Sequence, residues 1–379
     1  MDLRTFERPV WAEIDLAVIA HNVRELRSKT GPKSKFMAVV KADAYGHGAL
    51  PVSQVALQHG ADYLGVAILE EARQLREAGI SAPILILGYT PAEQASDLVK
   101  LNITQTIHDF AMAEVISQAA VSLGRTARVH IKVDTGMGRI GFTIADVNTP
   151  LEILKLAGLP GIEVEGLFTH FAVAEAQDKE YTYWQYKQFI ELDSRLKQQG
   201  LHIPLKHAAN TAAIVELPDM HLDMVRAGIS IYGLNPFDEE KHAKIDLQPA
   251  LSLKARIAQV KAVPAGVSIS YGRRYITERE SLIATIPLGY ADGYTRLLSN
   301  KTTVLVQGRR VPQIGTICMD QFMVDVTDLP ERIKAGDEVV LIGRQKDGQI
   351  TADELAGLIG TINYEIVCMI SDRVPRVYK

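Results

Sequence analysis

The sequence has few of the features that mark specialised classes of protein. Its 379 residues include only two cysteines, Cys318 and Cys368, without metal-like spacing, so a reduced, cytoplasmic setting is expected. No apolar run approaches the roughly 20 residues that cross a membrane, and residues 1–8 are too charged for a signal peptide. The formal net charge of −4 leaves no basic excess for nucleic acid. We therefore expect neither membrane, nor nucleic acid, nor a metal among the partners of this protein.

Apolar residues, by contrast, are plentiful: they make up 47% of the chain, enough for about two domains. The first two thirds of the chain alternate helical patterns with β-type runs. We predict eight strands, at residues 36–41, 62–67, 83–87, 103–107, 127–133, 164–169, 205–208 and 224–232. Such alternation indicates a parallel barrel or a doubly wound sheet, and the number of strands favours the barrel. We predict an α/β fold with a (β/α)8 TIM-type barrel at residues 10–240.

The pattern changes after a polar, turn-rich stretch at residues 235–241. Beyond it, β-like segments follow one another with little helix, and only residues 351–360 look helical. Alternation of apolar and polar residues, as at residues 322–326, fits half-buried antiparallel strands. We predict a mainly β C-terminal domain at residues 241–379, which the N-terminal residues 1–9 could join.

One lysine ends the first predicted barrel strand. The apolar run from Phe36 to Val40 stops at Lys41, and a loop with glycines, Tyr45 and His47 follows. The carboxyl ends of barrel strands form the catalytic face. A desolvated lysine there favours its neutral amine, which can form a Schiff base. Taken alone, a lysine at a strand end is more often a solvated surface residue.

Other strand ends carry polar residues that would emerge on the same face. Lys132 and Arg139 follow the fifth strand, His170 the sixth and Asn210 the seventh, while Arg226 lies within the apolar eighth strand. Each has an ordinary structural explanation when taken alone, but a buried arginine is costly unless it is paired. Their coincidence on one face indicates a functional site.

Several motifs, in this order, resemble the alanine racemase family along essentially the whole chain. They are VVKADAYGHG from residue 39, KVDTGMGRIGF from 132, SYGRRY from 270, LGYADGYTR from 288, GTICMDQ from 315 and NYEI from 363. The combined match is far more specific than any one of its motifs.

The resemblance implies pyridoxal 5′-phosphate as cofactor, bound covalently by Lys41. His170 would lie against the cofactor ring, and Arg226 would pair with the ring nitrogen. A guanidinium only donates hydrogen bonds, so it would keep that nitrogen unprotonated and limit side reactions such as transamination. The remaining cofactor-binding positions, most of them phosphate contacts, are Tyr45, Asn210, Thr211, Gly228, Ile229 and Tyr364. Thr211 stands where the family commonly has serine, and it retains the hydroxyl.

The resemblance also implies the reaction, interconversion of L-alanine and D-alanine, which supplies D-alanine for peptidoglycan. Lys41 would exchange the Cα proton of the D-enantiomer, and Tyr271 that of the L-enantiomer. The family places this tyrosine in the second subunit of a homodimer with shared active sites. Arg139 and the backbone N–H of Met319 correspond to contacts with the substrate carboxylate. Lys132 matches a lysine that some members carry as a carbamate, which holds the arginine in place.

Three alternatives compete with an alanine-specific racemase. A broader or serine-type racemase would share every motif, because the sequence gives no pocket volume. A non-catalytic pyridoxal-phosphate carrier would need only the barrel, so the long β domain and SYGRRY disfavour it. A decarboxylase of the same plan would use a cysteine and carboxylates and pair the ring nitrogen with an acid, and Arg226 points away from that.

Overall fold

The computed structural model describes residues 8–237 and 245–379. Most of the predicted boundary at 235–241 and of the N-terminal segment 1–9 lies outside these residues. The strands are β1 Val10–Ile14, β2 Lys35–Val39, β3 Tyr63–Val66, β4 Ile84–Ile86, β5 Thr104–Ile107, β6 Ala127–Asp134, β7 Phe142–Thr143, β8 Ile162–Phe168, β9 Leu205–His207, β10 Met224–Ala227, β11 Leu251–Arg256, β12 Gln259–Val263, β13 Ser268–Ile269, β14 Tyr275–Ile276, β15 Ser281–Ile286, β16 Thr303–Val306, β17 Arg309–Ile314, β18 Phe322–Asp325, β19 Glu338–Gln345, β20 Gly348–Ile350 and β21 Arg376–Tyr378. The helices are α1 Leu16–Lys29, α2 Lys41–Gly46, α3 Ala49–Gln58, α4 Leu69–Glu77, α5 Ala95–Lys100, α6 Phe110–Ser122, α7 Thr149–Ala157, α8 Glu180–Gln198, α9 Thr211–Glu216, α10 Ala352–Ile359 and α11 Asn363–Cys368.

The described residues form two compact units. The barrel unit comprises Val18–Ala44 and the described part of Gly48–Gln248. The β unit comprises the described residues before Val18, the short piece Tyr45–His47, and Pro249–Lys379. Within the two described stretches, no helix combines the length and the apolar character needed to span a bilayer.

The barrel unit contains eight parallel strands in the order β10-β2-β3-β4-β5-β6-β8-β9. The barrel is nearly closed, because two backbone hydrogen bonds bridge β9 and β10. Asp223 N–H donates to Lys206 O at 3.0 Å, and Arg226 N–H donates to Ala209 O at 3.0 Å. Strands covered on both sides read as continuous apolar runs, which is why the sequence reveals them. The predicted barrel is confirmed.

The end of the eighth strand differs from the prediction. A strand is predicted to reach residue 232, but β10 stops at Ala227 and Ile229–Tyr232 forms a 3₁₀ turn. Gly228, at φ −115° and ψ −110°, breaks the strand between them. The apolar residues of the turn are still buried, so their burial alone does not distinguish the turn from a strand. This break places the amino end of a short helical turn at the carboxyl end of the barrel.

The β unit is built on an extended sheet in the order β12-β15-β18-β17-β16-β19-β11-β1-β21, and β20 pairs with β19. The predicted mainly β C-terminal part is confirmed. The sequence assigned residues from 10 onward to the barrel, but β1 instead pairs with β11 and β21 in this sheet. A second helix, α11, follows α10 where only residues 351–360 were predicted to be helical.

Candidate active site

Lys41 lies directly after β2, at the carboxyl end of the barrel, and is half-buried. It begins α2, which is a left-handed turn rather than an ordinary helix. Its residues from Ala42 to Tyr45 have φ between 50° and 54°. Left-handed backbone costs L-amino acids about 1–2 kcal/mol per residue. Strain of this kind persists only where surrounding contacts enforce it, and it concentrates at functional sites.

Two side chains of the barrel unit enforce the start of the turn. Ala42 N–H donates to Glu71 Oε1 at 2.7 Å, and Ala49 N–H donates to Asp43 Oδ1 at 2.7 Å. The first carboxylate lies in the first turn of α4, and the second belongs to the strained segment itself. The direction in which Lys41 leaves its strand is therefore fixed by the backbone on either side of it.

Arg226 lies in β10, is only 4% exposed, and is bonded on one side of its guanidinium. Its Nη1 donates to His207 Nδ1 at 2.8 Å, and its Nη2 contacts His170 Nδ1 at 3.1 Å. Nη2 also donates to the carbonyls of Thr169 at 2.9 Å and Ala208 at 3.0 Å. Its Nε donates to no residue in the described part of the chain. The buried arginine is therefore oriented by four acceptors and retains its Nε–H for a further partner.

A chain of hydrogen bonds leads from this arginine through the barrel interior. His207 Nε2 lies 2.9 Å from His130 Nδ1, and His130 Nε2 lies 3.1 Å from Glu165 Oε2. Tyr63 completes the chain by donating to Glu165 Oε1 at 3.1 Å. If each imidazole accepts at Nδ1 and donates at Nε2, every contact is satisfied with both rings neutral. Two neutral rings then link the buried cation to its counter-charge.

The pKa values of the chain agree with this assignment of protons. Burial, together with the charge of Arg226, holds the pKa of His207 and His170 well below the ordinary 6.5. Burial lowers the pKa of His130 as well, although Glu165 opposes the shift. Burial raises the pKa of Glu165, but hydrogen bonds from His130 and Tyr63 outweigh it and leave the value below 4.5. Burial lowers the pKa of Arg226 to about 9, so it stays charged at neutral pH.

These histidines should make the protein sensitive to mild acid. Below pH 6.5 the three histidines bind protons in the unfolded chain, but His130, His170 and His207 stay neutral in the folded protein because their pKa values are lowered. The free energy of unfolding should therefore fall as the pH falls. The expected loss is about 1.4 kcal/mol per pH unit for each histidine whose pKa lies below the window. Because the carboxylate of Glu165 titrates below 4.5, urea unfolding between pH 6.5 and 5 isolates the histidines. A His207→Gln variant should show a shallower slope, and an identical slope would contradict this assignment.

Lys132 and Arg139 flank one loop of the barrel unit. Lys132 is 2% exposed, and its Nζ donates to Val133 O at 2.7 Å and to Ile140 O at 3.2 Å. Burial, aided by Arg226 and Arg139 and opposed by Asp134, lowers its pKa to about 7. A neutral amine has two N–H donors and a lone pair, and its two donors match the carbonyls of Val133 and Ile140. Arg139, by contrast, is exposed on the loop.

The ends of the seventh and eighth strands supply candidate anion contacts. Asn210 caps α9, since its Oδ1 accepts from Ala213 N–H at 3.1 Å. Thr211 follows as the first helical residue, and its Oγ1 accepts from Gly228 N–H at 3.0 Å. The hydroxyl proton of Thr211 donates to no described residue. Together with the amino end of the 3₁₀ turn at Ile229, it offers donors suited to a phosphate.

The other predicted site residues belong to the β unit. The rings of Tyr45 and Tyr364 lie 6.2 Å apart between centroids, tilted by 56°. Tyr45 is buried, and burial strongly raises the pKa of its hydroxyl, so it remains a neutral donor. The structure therefore brings together these two residues, which lie more than 300 positions apart in the sequence.

Tyr271 and Met319 lie on the surface of the β unit. Tyr271 is 70% exposed and Met319 is 53% exposed. The backbone at Tyr271 is nevertheless held, because Thr316 Oγ1 donates to its carbonyl at 2.9 Å. The carbonyl of Met319 similarly accepts from Ala291 N–H at 3.0 Å.

A family profile described as "Alanine racemase, N-terminal domain" matches residues 14–236, and one described as "Alanine racemase, C-terminal domain" matches residues 250–378. The chain belongs to the alanine racemase family. Members of this family use pyridoxal phosphate and are dimeric in known structures.

Relatives and solved structures within the alanine racemase family cover nearly the whole chain. An alanine racemase of Clostridium perfringens is 51% identical over 98% of this chain and 96% of that protein. One from Desulforamulus reducens is 51% identical over 98% of this chain and 99% of its own. The structure of alanine racemase from Clostridium difficile 630 superposes with a TM-score of 0.94, at 45% identity over 99% and 97% of the two chains. The enzyme from Bacillus anthracis with bound L-Ala-P gives 0.93, at 40% identity over 99% and 96%.

His130, Glu165 and His207 were not identified as a group from the sequence, because none of the three lies within the alanine racemase motifs. One signal was available: each is a polar residue inside a barrel strand, where alternate residues face the interior. Gly166 was a second signal, because a Cβ there would lie 2.4 Å from His130 Nδ1. The absence of a side chain at Gly166 makes room for the imidazole of His130. The reason for the glycine is therefore visible only when this neighbour in space is known.

Proposed function

We propose that this protein interconverts L-alanine and D-alanine with pyridoxal 5′-phosphate as cofactor. The observation that carries the proposal is the set of Lys41, His170 and Arg226 at the carboxyl end of one barrel, in a chain of the alanine racemase family. His170 and Arg226 are hydrogen-bonded to one another. The strained turn that follows Lys41 fixes the direction in which the chain leaves the strand. These are the groups that a covalently bound pyridine ring requires.

The residues present fit that cofactor in three ways. Lys41 provides the amine for the covalent link. The Nε–H of Arg226 is free to donate to the ring nitrogen, because the other contacts of this guanidinium are made by Nη1 and Nη2. Thr211 and the turn at Ile229 offer donors for the phosphate, and we assign Asn210, Gly228, Tyr45 and Tyr364 to the same end. When bound, pyridoxal phosphate delocalises the charge that forms at the substrate Cα.

Arg226 limits how far that charge is delocalised. Its charge is balanced through His207 and His130 by Glu165, so it has little tendency to give up a proton to the ring. A ring nitrogen that accepts a hydrogen bond without gaining a proton draws electrons more weakly. The site then depends on well-placed proton-transfer groups rather than on the cofactor alone.

Racemisation requires a proton donor and acceptor on each face of the substrate Cα. We assign Lys41 to the face of the D-enantiomer and Tyr271 of the partner subunit to that of the L-enantiomer. The exposure of Tyr271 in a single chain supports this division, because a catalytic tyrosine needs a second surface to act on. The proposal therefore includes a homodimer with two shared sites.

The substrate carboxylate is assigned to Arg139 and the backbone N–H of Met319. Lys132 as an ammonium would place a second cation near the arginine, and its pKa of about 7 shows that this charge is disfavoured. A neutral amine adds carbon dioxide, forming an N–C bond and releasing one proton. The resulting carbamate is an anion that can hold Arg139 in place.

Carbamylation of Lys132 predicts a dependence on carbon dioxide. With ¹³C-labelled bicarbonate at pH 8, we expect a carbamate carbonyl signal in the NMR spectrum. The signal should fade below about pH 7, where the amine becomes protonated. A Lys132→Gln variant should lack the signal and raise KM for alanine roughly 10-fold, the effect of losing one charged hydrogen bond. A signal that persists in this variant, or the absence of any signal in the parent protein at pH 8, would contradict the assignment.

Substrate breadth and cellular role belong to the same proposal. We propose alanine as the main substrate and D-alanine supply for peptidoglycan, in the cytoplasm, as the role. Turnover of both enantiomers of alanine, serine and larger amino acids tests the specificity. Release of carbon dioxide from any of them would instead support a decarboxylase, and comparable turnover of serine would support a broader racemase.

A further inference from the structure

The loop between β6 and β7 carries Arg139, and its backbone is held by hydrogen bonds to the Asp134 carboxylate and from the Lys132 amine. Asp134 Oδ1 accepts from the N–H groups of Gly136 at 2.9 Å, Met137 at 2.9 Å and Gly138 at 3.1 Å. This carboxylate organises the first half of the loop. Arg139 makes no hydrogen bond or ion pair with any described residue, so the position of its guanidinium depends on the conformation of the loop that carries it.

Two exposed aromatic residues of α8 contact that loop. Tyr181 donates its hydroxyl to Gly136 O at 3.0 Å. Its ring stacks on Trp184, with centroids 5.3 Å apart and planes 24° apart. A Cβ at Gly136 would lie 2.3 Å from the Tyr181 hydroxyl and 3.2 Å from Trp184 Cζ3. The aromatic pair therefore packs directly against the loop backbone, although Tyr181 is 43% and Trp184 45% exposed.

The helix α8, which carries this pair, is hydrogen-bonded to residues of the candidate site. Gln185, fully buried in α8, donates to His170 O at 3.3 Å and to Thr135 Oγ1 at 3.3 Å. Thr135 in turn shares a hydroxyl hydrogen bond of 2.7 Å with Thr169. The helix that carries the aromatic pair is thus anchored to the residues that follow the neighbouring strands β6 and β8.

We propose that Tyr181 and Trp184 are positioning residues that clamp the 135–141 loop so that Arg139 meets the substrate carboxylate. This inference rests on the proposed role of Arg139. It explains why two large aromatic side chains remain at the surface beside a glycine whose φ is +122°. The clamp acts through the loop and touches no reacting atom, so it should affect carboxylate binding more than the proton-transfer steps.

Kinetics of conservative variants test the clamp. Tyr181→Phe keeps the stack and loses one hydrogen bond, so we expect KM for alanine and Ki for propionate to rise roughly 2- to 10-fold. The value of kcat should change less than about twofold. Tyr183→Phe is the matched control, because this tyrosine lies on the same helix, is 56% exposed, and its hydroxyl bonds to no described residue. We expect the control to match the parent.

Hydrogen exchange gives a readout that is independent of catalysis. In Tyr181→Ala, amides of the 135–141 loop should exchange faster than in the parent protein, while Tyr183→Ala should leave them unchanged. Equal exchange in the parent and Tyr181→Ala would overturn the clamp. The unfolding midpoint of each variant shows whether the fold is intact.

A double-mutant cycle separates the clamp from the role of Arg139. In an Arg139→Ala background, Tyr181→Phe should no longer change Ki for propionate. If Arg139→Ala weakens propionate binding but Tyr181→Phe does not, only the clamp is wrong. If Arg139→Ala leaves propionate binding unchanged, the assignment of this arginine to the carboxylate fails, and the clamp fails with it.

Discussion

Replacement of Lys41 by alanine should abolish racemisation and the covalent attachment of cofactor. Loss of one acid–base group alone lowers a rate by about 10²–10⁴-fold, and this variant also loses the attachment point. The parent protein should show near-visible absorbance that borohydride reduction removes, with the reduced cofactor fixed on the peptide containing Lys41. Lys33→Ala, which removes a lysine from the turn before β2, is the control and should keep both properties.

The site of labelling decides the outcome. Reduced cofactor on another lysine would show that Lys41 is not the attachment point. Racemisation by Lys41→Ala at the parent rate would show that this amine moves no proton.

Mixing two inactive variants should restore activity. If Tyr271 of the partner subunit completes the site of Lys41, a mixed dimer of Lys41→Ala and Tyr271→Phe chains has one site with both changes and one with neither. Random exchange makes half of the dimers mixed, so about one quarter of the parent activity should return. Each variant mixed with itself is the control and should stay inactive.

Exchange itself must be verified, for example by native mass spectrometry of chains with different tags. Mixed dimers without recovered activity would show that each chain completes its own site. Recovery in the self-mixed controls would show instead that neither residue is required.

The barrel could be predicted because its strands and helices have local sequence patterns that can be recognised one segment at a time. Parallel strands covered on both faces tend to be apolar throughout, so β2 and β4 stand out as runs. Lys41 stands out for the same reason, as the single charge that follows the apolar run of β2. The eight-fold alternation with helices then limits the topology to very few choices.

The left-handed turn after Lys41 could not be predicted. Ala42 and Ala44 favour right-handed helices, and nothing local in ADAY indicates four residues with positive φ. Contacts made elsewhere in the fold, such as that of Glu71 with Ala42, impose the conformation. A sequence pattern indicates the backbone conformation that one segment prefers, and it does not show the tertiary contacts that override this preference.

Partners far apart in the chain were equally hidden. β1 pairs with β11, about 240 residues later, and VWAEI is too short to reveal which sheet it joins. The hydrogen-bond chain from Arg226 to Glu165 depends on strands that become neighbours only in the barrel. The family motifs contain several of the residues that we propose for the cofactor site, while the partners that orient Arg226 become visible only in the fold.

The most direct test is to incubate each enantiomer of alanine with the protein and pyridoxal phosphate in deuterated water. We expect both reactions to converge on an equal mixture of L-alanine and D-alanine, with deuterium at Cα and no carbon dioxide released. Chiral chromatography and proton NMR follow the two changes together. Alanine that remains enantiomerically pure, or that loses its carboxyl group, would contradict the proposed racemisation.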